Sequence, residues 1–315
     1  MVFWLALQGV LGLLLISIVG YVLAAKGWFD DHAIIMMPRL ITCVALPPYL
    51  FYTVSHSFQR EQLLHMIVSS LFPLLSMLVT FALAWVLARL FRVKEGRRGL
   101  FCAGMSASNT MYIGLPVNLA LFGEEALPFV LLYFFANTVF FWTVGNYAIS
   151  HDKVELRAGA SLWSNARHIL SPPMIGMLSG AALVIFSLRL PRFLESCAQY
   201  LGNMTTPLAL IFIGVSLYKM DLRHLHIDRD LVLGIVGKLV LAPLVLAVML
   251  AYCLPDVPEL MRKVFIIQAG LPSILQTALM SAYYDTDPQY GALIVTLTTL
   301  LSTLTIPLAM TLVSL

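Results

Sequence analysis

The chain has 315 residues, of which 60% are hydrophobic and 11% charged, with a formal charge of +3 and a mean hydropathy of +0.90. A water-soluble domain carries roughly 25% charged residues, so this composition cannot clothe a globule of this size in polar surface. A soluble enzyme, a nucleic-acid-binding protein and a disordered chain are excluded, and an integral membrane protein remains.

A helix needs about 20 apolar residues to cross the hydrocarbon core of a bilayer. Windows free of Asp, Glu, Lys and Arg run over 1–25, 40–59, 62–88, 99–123, 126–150, 168–188, 196–218, 264–284 and 288–315, and a tenth, 231–255, is interrupted only by Lys238. Their apolar residues are continuous rather than alternating, which excludes a closed barrel. The first window lacks a basic flank and a small-residue cleavage site, so it is expected to be a retained helix rather than a signal peptide. Cys43, Cys102, Cys197 and Cys253 fall in apolar segments without ligand spacing and are expected to be small packing residues.

Basic residues orient the spans. The odd-numbered connections hold 13 of them: Lys26, Arg39, Arg89, Arg92, Lys94, Arg97, Arg98, Lys153, Arg157, Arg167, Lys219, Arg223 and Arg229. The even-numbered ones hold 5: Arg60, Arg189, Arg192, Arg262 and Lys263. This bias predicts cytoplasmic odd connections and both termini outside.

Ten spans divide into five and five across the connection 151–167. An odd number in each half forces opposite orientations, the condition for inverted repeats. The expected organisation is a first five-helix repeat over 1–150, a cytoplasmic linker over 151–167 and a second repeat over 168–315. The fourth and ninth windows each follow a basic pair, Arg97-Arg98 and Arg262-Lys263, and each contains Gly-Leu-Pro, at 114–116 and 270–272. Pro116 lies 18 residues after Arg98 but Pro272 only 9 after Lys263, so the pairs and the tripeptides cannot both be aligned. Both windows gather polar residues beside the proline: Ser106 through Pro116, and Gln268 through Ser273 with Gln276 a turn later. Helices interrupted inside the membrane are expected there, because proline removes a donor and freed backbone groups need partners.

At these residues the sequence resembles the auxin efflux carrier family of secondary transporters. The resemblance rests on Ser108-Asn109-Thr110 through Gly114-Leu115-Pro116, on Pro207 to Leu217, on Lys238 to Pro243, and on Gln268 through Ser273 to Tyr283-Tyr284 and Pro307. It implies an all-α membrane fold of ten transmembrane helices in two inverted five-helix repeats, similar to the bile acid–sodium symporters. In such a fold helices 4 and 9 are broken and cross near the midplane. It further implies that Asn109 is the polar residue of the first crossover, and that Pro116 and Pro272 accompany the breaks. Plant members carry a long hydrophilic loop between the halves, and this chain has only 151–167.

A break exposes a helix N-terminus suited to a carboxylate and a C-terminus suited to a cation. The windows contain no Asp or Glu and one cation, Lys238, which favours an organic anion such as a mono- or dicarboxylate. The expected substrate-binding set is Asn109, Thr110, Tyr112, Gly114, Pro116, Asn137, Lys238, Gln268, Gly270, Pro272, Ser273 and Gln276, with Tyr133 a further lining residue. Lys238 has two readings: snorkelling to the headgroups, or pairing with substrate or with carbonyls freed at a break. Asp221 through Asp228 has the composition of a metal cluster but is expected to be a solvated loop. No His stands near Ser106 or Ser108 to activate a serine, no His-Glu-x-x-His motif is present, and no phosphate-binding glycine loop occurs. Enzymatic activity, a metal and a cofactor are therefore not expected. The expected function is a secondary carrier in the cell membrane, whose partners are a small organic anion and the lipid bilayer, with a homodimer compatible. The alternatives are an anion-selective channel and an ion-coupled symporter of the bile acid–sodium type.

Overall fold

A computed structural model describes residues 2–57, 69–152, 172–188, 190–218, 227–253 and 257–313. Among the described residues there is no β-strand, and the chain is helical apart from short connections. Among the described residues, four helical runs are long and apolar enough to span a bilayer: Leu71–Leu90, Glu124–Ser150, Arg229–Cys253 and Pro288–Thr311. Contacts divide the chain into two compact units, one comprising Met1–Leu7, Ser69–Ile169 and Arg223–Leu315, the other Gln8–Val68 and Leu170–Leu222. Each unit therefore draws on both halves of the sequence.

The second unit holds most of α1 (Val2–Ala25), α2 (Asp31–Leu40) running through a π turn into α3 (Leu46–Ser57), and α9 (Pro172–Ile185), α10 (Arg192–Asn203) and α11 (Thr205–Tyr218). Glycine sets its packing. A Cβ on Gly176 or Gly180 would strike the main chain of Pro47 or Phe51 on α3, and one on Gly214 or Gly20 would strike that of Ser17 or Ile211. Small residues let helix backbones approach where no hydrophobic effect between lipid-solvated helices drives them together.

The first unit holds α4 (Leu71–Leu90), α5 (Arg98–Ser106), α6 (Leu115–Phe122), α7 (Leu127–Phe140), α8 (Asn146–Ser150), α12 (Arg229–Val236), α13 (Ala242–Cys253), α14 (Glu259–Ala269), α15 (Leu275–Tyr283) and α16 (Pro288–Val313). Helix α4 is inside-out by the standard of a soluble helix. It buries Ser76, Met77, Thr80, Ala84 and Ala88 and exposes Leu71, Leu75, Leu78, Val79, Leu83, Val86 and Leu90. Such a helix is stable only where its outer solvent is apolar. The core it closes contains Leu100, Phe101, Met105, Tyr133, Phe140, Phe141, Phe265 and Ile294. Of the cysteines only Cys102 is buried. Cys43, Cys197 and Cys253 are exposed, which corrects the expectation of four packing residues. A small apolar side chain is as much at home against lipid as inside protein.

Charges gather at one end of this unit. Arg97 bonds Asp287 (Nε to Oδ2 2.8 Å) and Asp228, approaches Asp230 at 3.7 Å, and lies 4.7 Å over the Tyr290 ring. Asp228 also caps α12 through the Leu231 N–H (2.8 Å), Asp287 accepts from the Tyr290 N–H (3.0 Å), and Asp152 accepts from the Gly99 and Leu100 N–H groups (both 2.8 Å). Desolvation alone would lower the Arg97 pKa, but hydrogen bonds to Asp228 and Asp287 outweigh it and the pKa is raised. Desolvation would likewise raise Asp228, but the bonds from Arg97 and Leu231 prevail and its pKa is lowered. The segment 219–226, with most of the Asp221–Asp228 stretch, lies outside the described residues. No grouping suited to a metal ion occurs among the described residues.

Candidate functional site

Helix α5 stops at Ser106, and the chain runs extended through Ala107 (φ −91°, ψ 143°) to Asn109 (φ −79°, ψ 71°) before a π turn, Thr110–Gly114, leads into α6. Helix α14 stops at Ala269, and α15 begins at Leu275. These two interruptions meet. The Asn109 N–H donates to the Pro272 carbonyl (2.9 Å), the Ile274 N–H donates to the Ala107 carbonyl (3.3 Å), and Ser108 and Ser273 form an antiparallel bridge. Backbone groups orphaned by each break are thus satisfied by the other. Ser108 lies 10 residues after Arg98 and Ser273 10 after Lys263, so the basic pairs, not the Gly-Leu-Pro tripeptides, register the two breaks. Pro272 sits in its break. Pro116 does not: it is in the first turn of α6, after a π turn that has already disrupted the regular i−4 ladder.

Side chains then fix the junction. Asn137 holds both faces of the Ser108 peptide, accepting from its N–H at 2.8 Å and donating to its carbonyl at 3.0 Å. Asn137 thus clamps the backbone at the break through both ends of its amide. Lys238 lies in a π turn, Gly237–Leu241, and is fully buried. Its Nζ donates to Ser108 Oγ (2.6 Å) and to the Ala269 carbonyl (3.0 Å), a carbonyl freed where α14 ends. The snorkelling reading is overturned, because the ammonium turns inward to the breaks. Among the described residues it has no carboxylate partner, and one of its three N–H groups is unspent.

Several polar atoms beside this junction have no hydrogen bond. They are Nε2 and Oε1 of Gln268, Ser273 Oγ, Thr277 Oγ1 and Asn118 Oδ1, all on fully buried residues. Native interiors leave few such groups, and each calls for an explanation. Gly114 makes room for one of them: a Cβ there would stand 2.5 Å from Gln268 Oε1. Asn118 donates to the Gly114 carbonyl at 2.7 Å and leaves its Oδ1 unpaired. Asn109, nearly buried, makes no side-chain hydrogen bond among the described residues, and Thr110 is buried beside it. Tyr112 is buried within the π turn, and Tyr133 packs edge-on to Phe265 at 6.0 Å. Gly270 serves the turn after α14, and Gln276 is half-buried at the second position of α15. Sequence reasoning missed Ser108, Asn118, Thr277 and Thr298 as members. Thr298 accepts the Ser273 N–H at 3.1 Å from another helix, α16. Asn118 had a signal, an amide four residues after a glycine, whereas nothing marks Thr298 in the chain.

The arrangement gathers spare donors, one buried cation and two helix N-termini where the breaks meet. The sequence matches the family described as "Membrane transport protein" over residues 5–310. The chain belongs to this family. It is the auxin efflux carrier family whose motifs the sequence resembles. The transporter is 26% identical over 313 residues to an uncharacterized transporter of Methanothermobacter thermautotrophicus, covering 98% of each chain. It is 24% identical over 311 residues to another of Methanocaldococcus jannaschii, covering 95% of this chain and 96% of the relative. With the apolar spans above, it is a multi-pass membrane protein that handles a small substrate, and its family and relatives are transporters rather than enzymes.

Proposed function

We propose that this transporter is a carrier of small organic anions, mono- or dicarboxylates, that works in the cell membrane by alternating access. The observation that carries the reading is Lys238, a fully buried ammonium at the meeting of two broken helices with no carboxylate partner among the described residues. Burying an unpaired charge is costly, and a carboxylate arriving beside it supplies the missing counter-ion. The orphan donors of Gln268 and Ser273 and the helix start at Thr110 suit the same group. In this reading Asn109 and Gln268 contact the substrate, while Asn137 and Lys238 also hold the junction.

The proposed architecture is ten helices in two inverted five-helix repeats, 1–150 and 168–315, with both termini outside and the breaks near the midplane. Support comes from the equal spacing of Ser108 and Ser273 from their basic pairs, and from two units that each take segments from both halves. The Arg97 cluster adds to it by joining connections that the charge bias assigns to one side.

The test is counterflow in proteoliposomes. A vesicle loaded with unlabelled carboxylate should transiently accumulate the labelled compound above equilibrium, and the same carboxylates should raise the unfolding temperature of the purified protein. Flux that never saturates and shows no counterflow makes the protein a channel. Stabilisation by organic cations instead of carboxylates overturns the assigned sign of the substrate.

A further inference from the structure

The junction where α5 and α14 break carries a charge that can be counted. Two helices end there, at Ser106 and Ala269, and two helical runs begin, at Thr110 and Leu275. A helix carries about −0.5 of a charge at its C-terminus and about +0.5 at its N-terminus, so the four ends cancel in pairs. The windows that supply the junction, 99–123, 126–150, 231–255, 264–284 and 288–315, hold no Asp, Glu, Arg or His and a single Lys, Lys238. Their other titratable side chains are phenols and thiols: Cys102 on α5, Tyr133 on α7, Tyr252 and Cys253 on α13, and Tyr290 on α16 lie on helices around it. Formal charges on the neighbouring helices stand at their far ends. Arg98 lies eight residues before the end of α5, Asp230 eight before Lys238 and Lys263 six before the end of α14, about 12, 12 and 9 Å at the rise of a helix. Arg229, Glu259 and Arg262 lie farther along the same helices. With Lys238 charged, the junction therefore holds +1.

The unpaired polar atoms carry the same preference. A carboxylate is an acceptor only, and it suits Gln268 Nε2, the Ser273 hydroxyl and the unspent N–H of Lys238. It does nothing for Gln268 Oε1 or Asn118 Oδ1, which are acceptors without a donor on fully buried residues. A second ionised carboxylate brings further acceptors and a charge that nothing at the junction balances. A protonated carboxyl brings an O–H donor and no charge.

We infer that the substrate is bound as a monoanion, so that the junction and its ligand are together neutral. A dicarboxylate enters as the hydrogen dicarboxylate. Its ionised end meets Lys238, and the O–H of its other end donates to Gln268 Oε1 or Asn118 Oδ1. The proton arrives on the ligand, so no group of the protein has to titrate. The inference rests on the carboxylate reading above and goes beyond it by setting the protonation state of the bound species.

The experiment uses the full-length protein in neutral detergent. Malonate, succinate and glutarate are each titrated beside the monomethyl ester of the same acid, at pH 6 and at pH 8, with the unfolding temperature as readout. The ester is a monoanion at both values, so it registers any pH effect that belongs to the protein. The ratio of half-saturating concentrations, diacid to ester, should rise roughly 100-fold from pH 6 to pH 8, about tenfold for each pH unit over which the hydrogen dicarboxylate is depleted. Binding of the esters alone at pH 8 is the same result at its limit. A ratio that stays flat or falls, or diacids that bind at pH 8 where their esters do not, overturns the inference and makes the dianion the bound form, while carboxylate binding itself stands. If none of these acids and esters shifts the unfolding temperature at either pH, the carboxylate reading fails and the monoanion fails with it.

Discussion

Replacing Lys238 by Met keeps the stem and removes the charge. In the structure the ammonium contributes two bonds, 2.6 Å to Ser108 Oγ and 3.0 Å to the Ala269 carbonyl. Its loss leaves that carbonyl unsatisfied at a cost of about 1–3 kcal/mol. Two effects offset the cost. Ser108 Oγ already points at the Ala269 carbonyl from 3.5 Å and can close on it, and the several kcal/mol spent on keeping a lone ammonium out of water are recovered. The expected unfolding temperature is therefore close to that of the wild type, or higher. Anion binding should behave differently. A charge-assisted bond to a carboxylate is worth about 1.5–3 kcal/mol, so affinity should fall about 10- to 150-fold. The assay pairs thermal unfolding without ligand with carboxylate titration by thermal shift and counterflow. Lys238→Gln, which can still donate to Ala269, serves if the Met variant does not fold. A well-folded Lys238→Met protein with wild-type affinity and flux would refute the reasoning.

Asn137→Leu strips the partners from both faces of the Ser108 peptide and should cost about 2–5 kcal/mol of stability, read as a large drop in unfolding temperature. Asn109→Leu should do the reverse, leaving the unfolding temperature near wild type and weakening carboxylate binding about 5- to 150-fold, because its side chain bonds nothing in the protein among the described residues. Gly214→Ala drives a methyl into the Ser17 carbonyl and should destabilise by about 1–3 kcal/mol, whereas Gly12→Ala, with open space at its Cβ, should be neutral in the same melt. The lowered pKa of Asp228 predicts a stabilisation present above the ordinary carboxylate range, near pH 3.9, and lost as pH falls through the depressed folded value. Melts from pH 6 to 3 should show a steeper acid loss in the wild type than in Arg97→Gln.

The long spans were legible because each is one long apolar run, broken by a charge only at Lys238. Windows 62–88, 126–150 and 231–255 contain most of Leu71–Leu90, Glu124–Ser150 and Arg229–Cys253, and window 288–315 contains Pro288–Thr311. The presence of interruptions in windows 99–123 and 264–284 was legible from their polar residues. The place of the first was not. Gly114 and Pro116 draw the eye, yet the chain leaves the helix at Ala107, a residue with no local reason to do so. The cause is non-local, since the extended stretch is held by Pro272 and Ile274 from far along the sequence. Lys238 stood out as the lone charge of its window, but its direction depends on a π turn that no periodicity reveals. Asn146, near the end of the window 126–150, carries no mark in the sequence, yet it is fully buried, donates to Tyr284 at 3.1 Å and leaves its Oδ1 unpaired.

The stitching of Asn109 to Pro272 has a consequence for how the chain is made. The two residues are separated by 163 positions (272 − 109), and synthesis proceeds at about 5–20 residues per second. For roughly 8–30 seconds the Asn109 N–H and the Ala107 carbonyl exist without the partners that satisfy them in the finished protein. Hydrocarbon does not tolerate such groups, so during that interval the segment 107–109 must borrow partners from water in the insertion machinery or from a helix it will later abandon. The nascent first half is thus an incomplete object in the bilayer, and a ribosome that stalls before Pro272 leaves behind a segment exposing the unpaired backbone that membrane quality control can read.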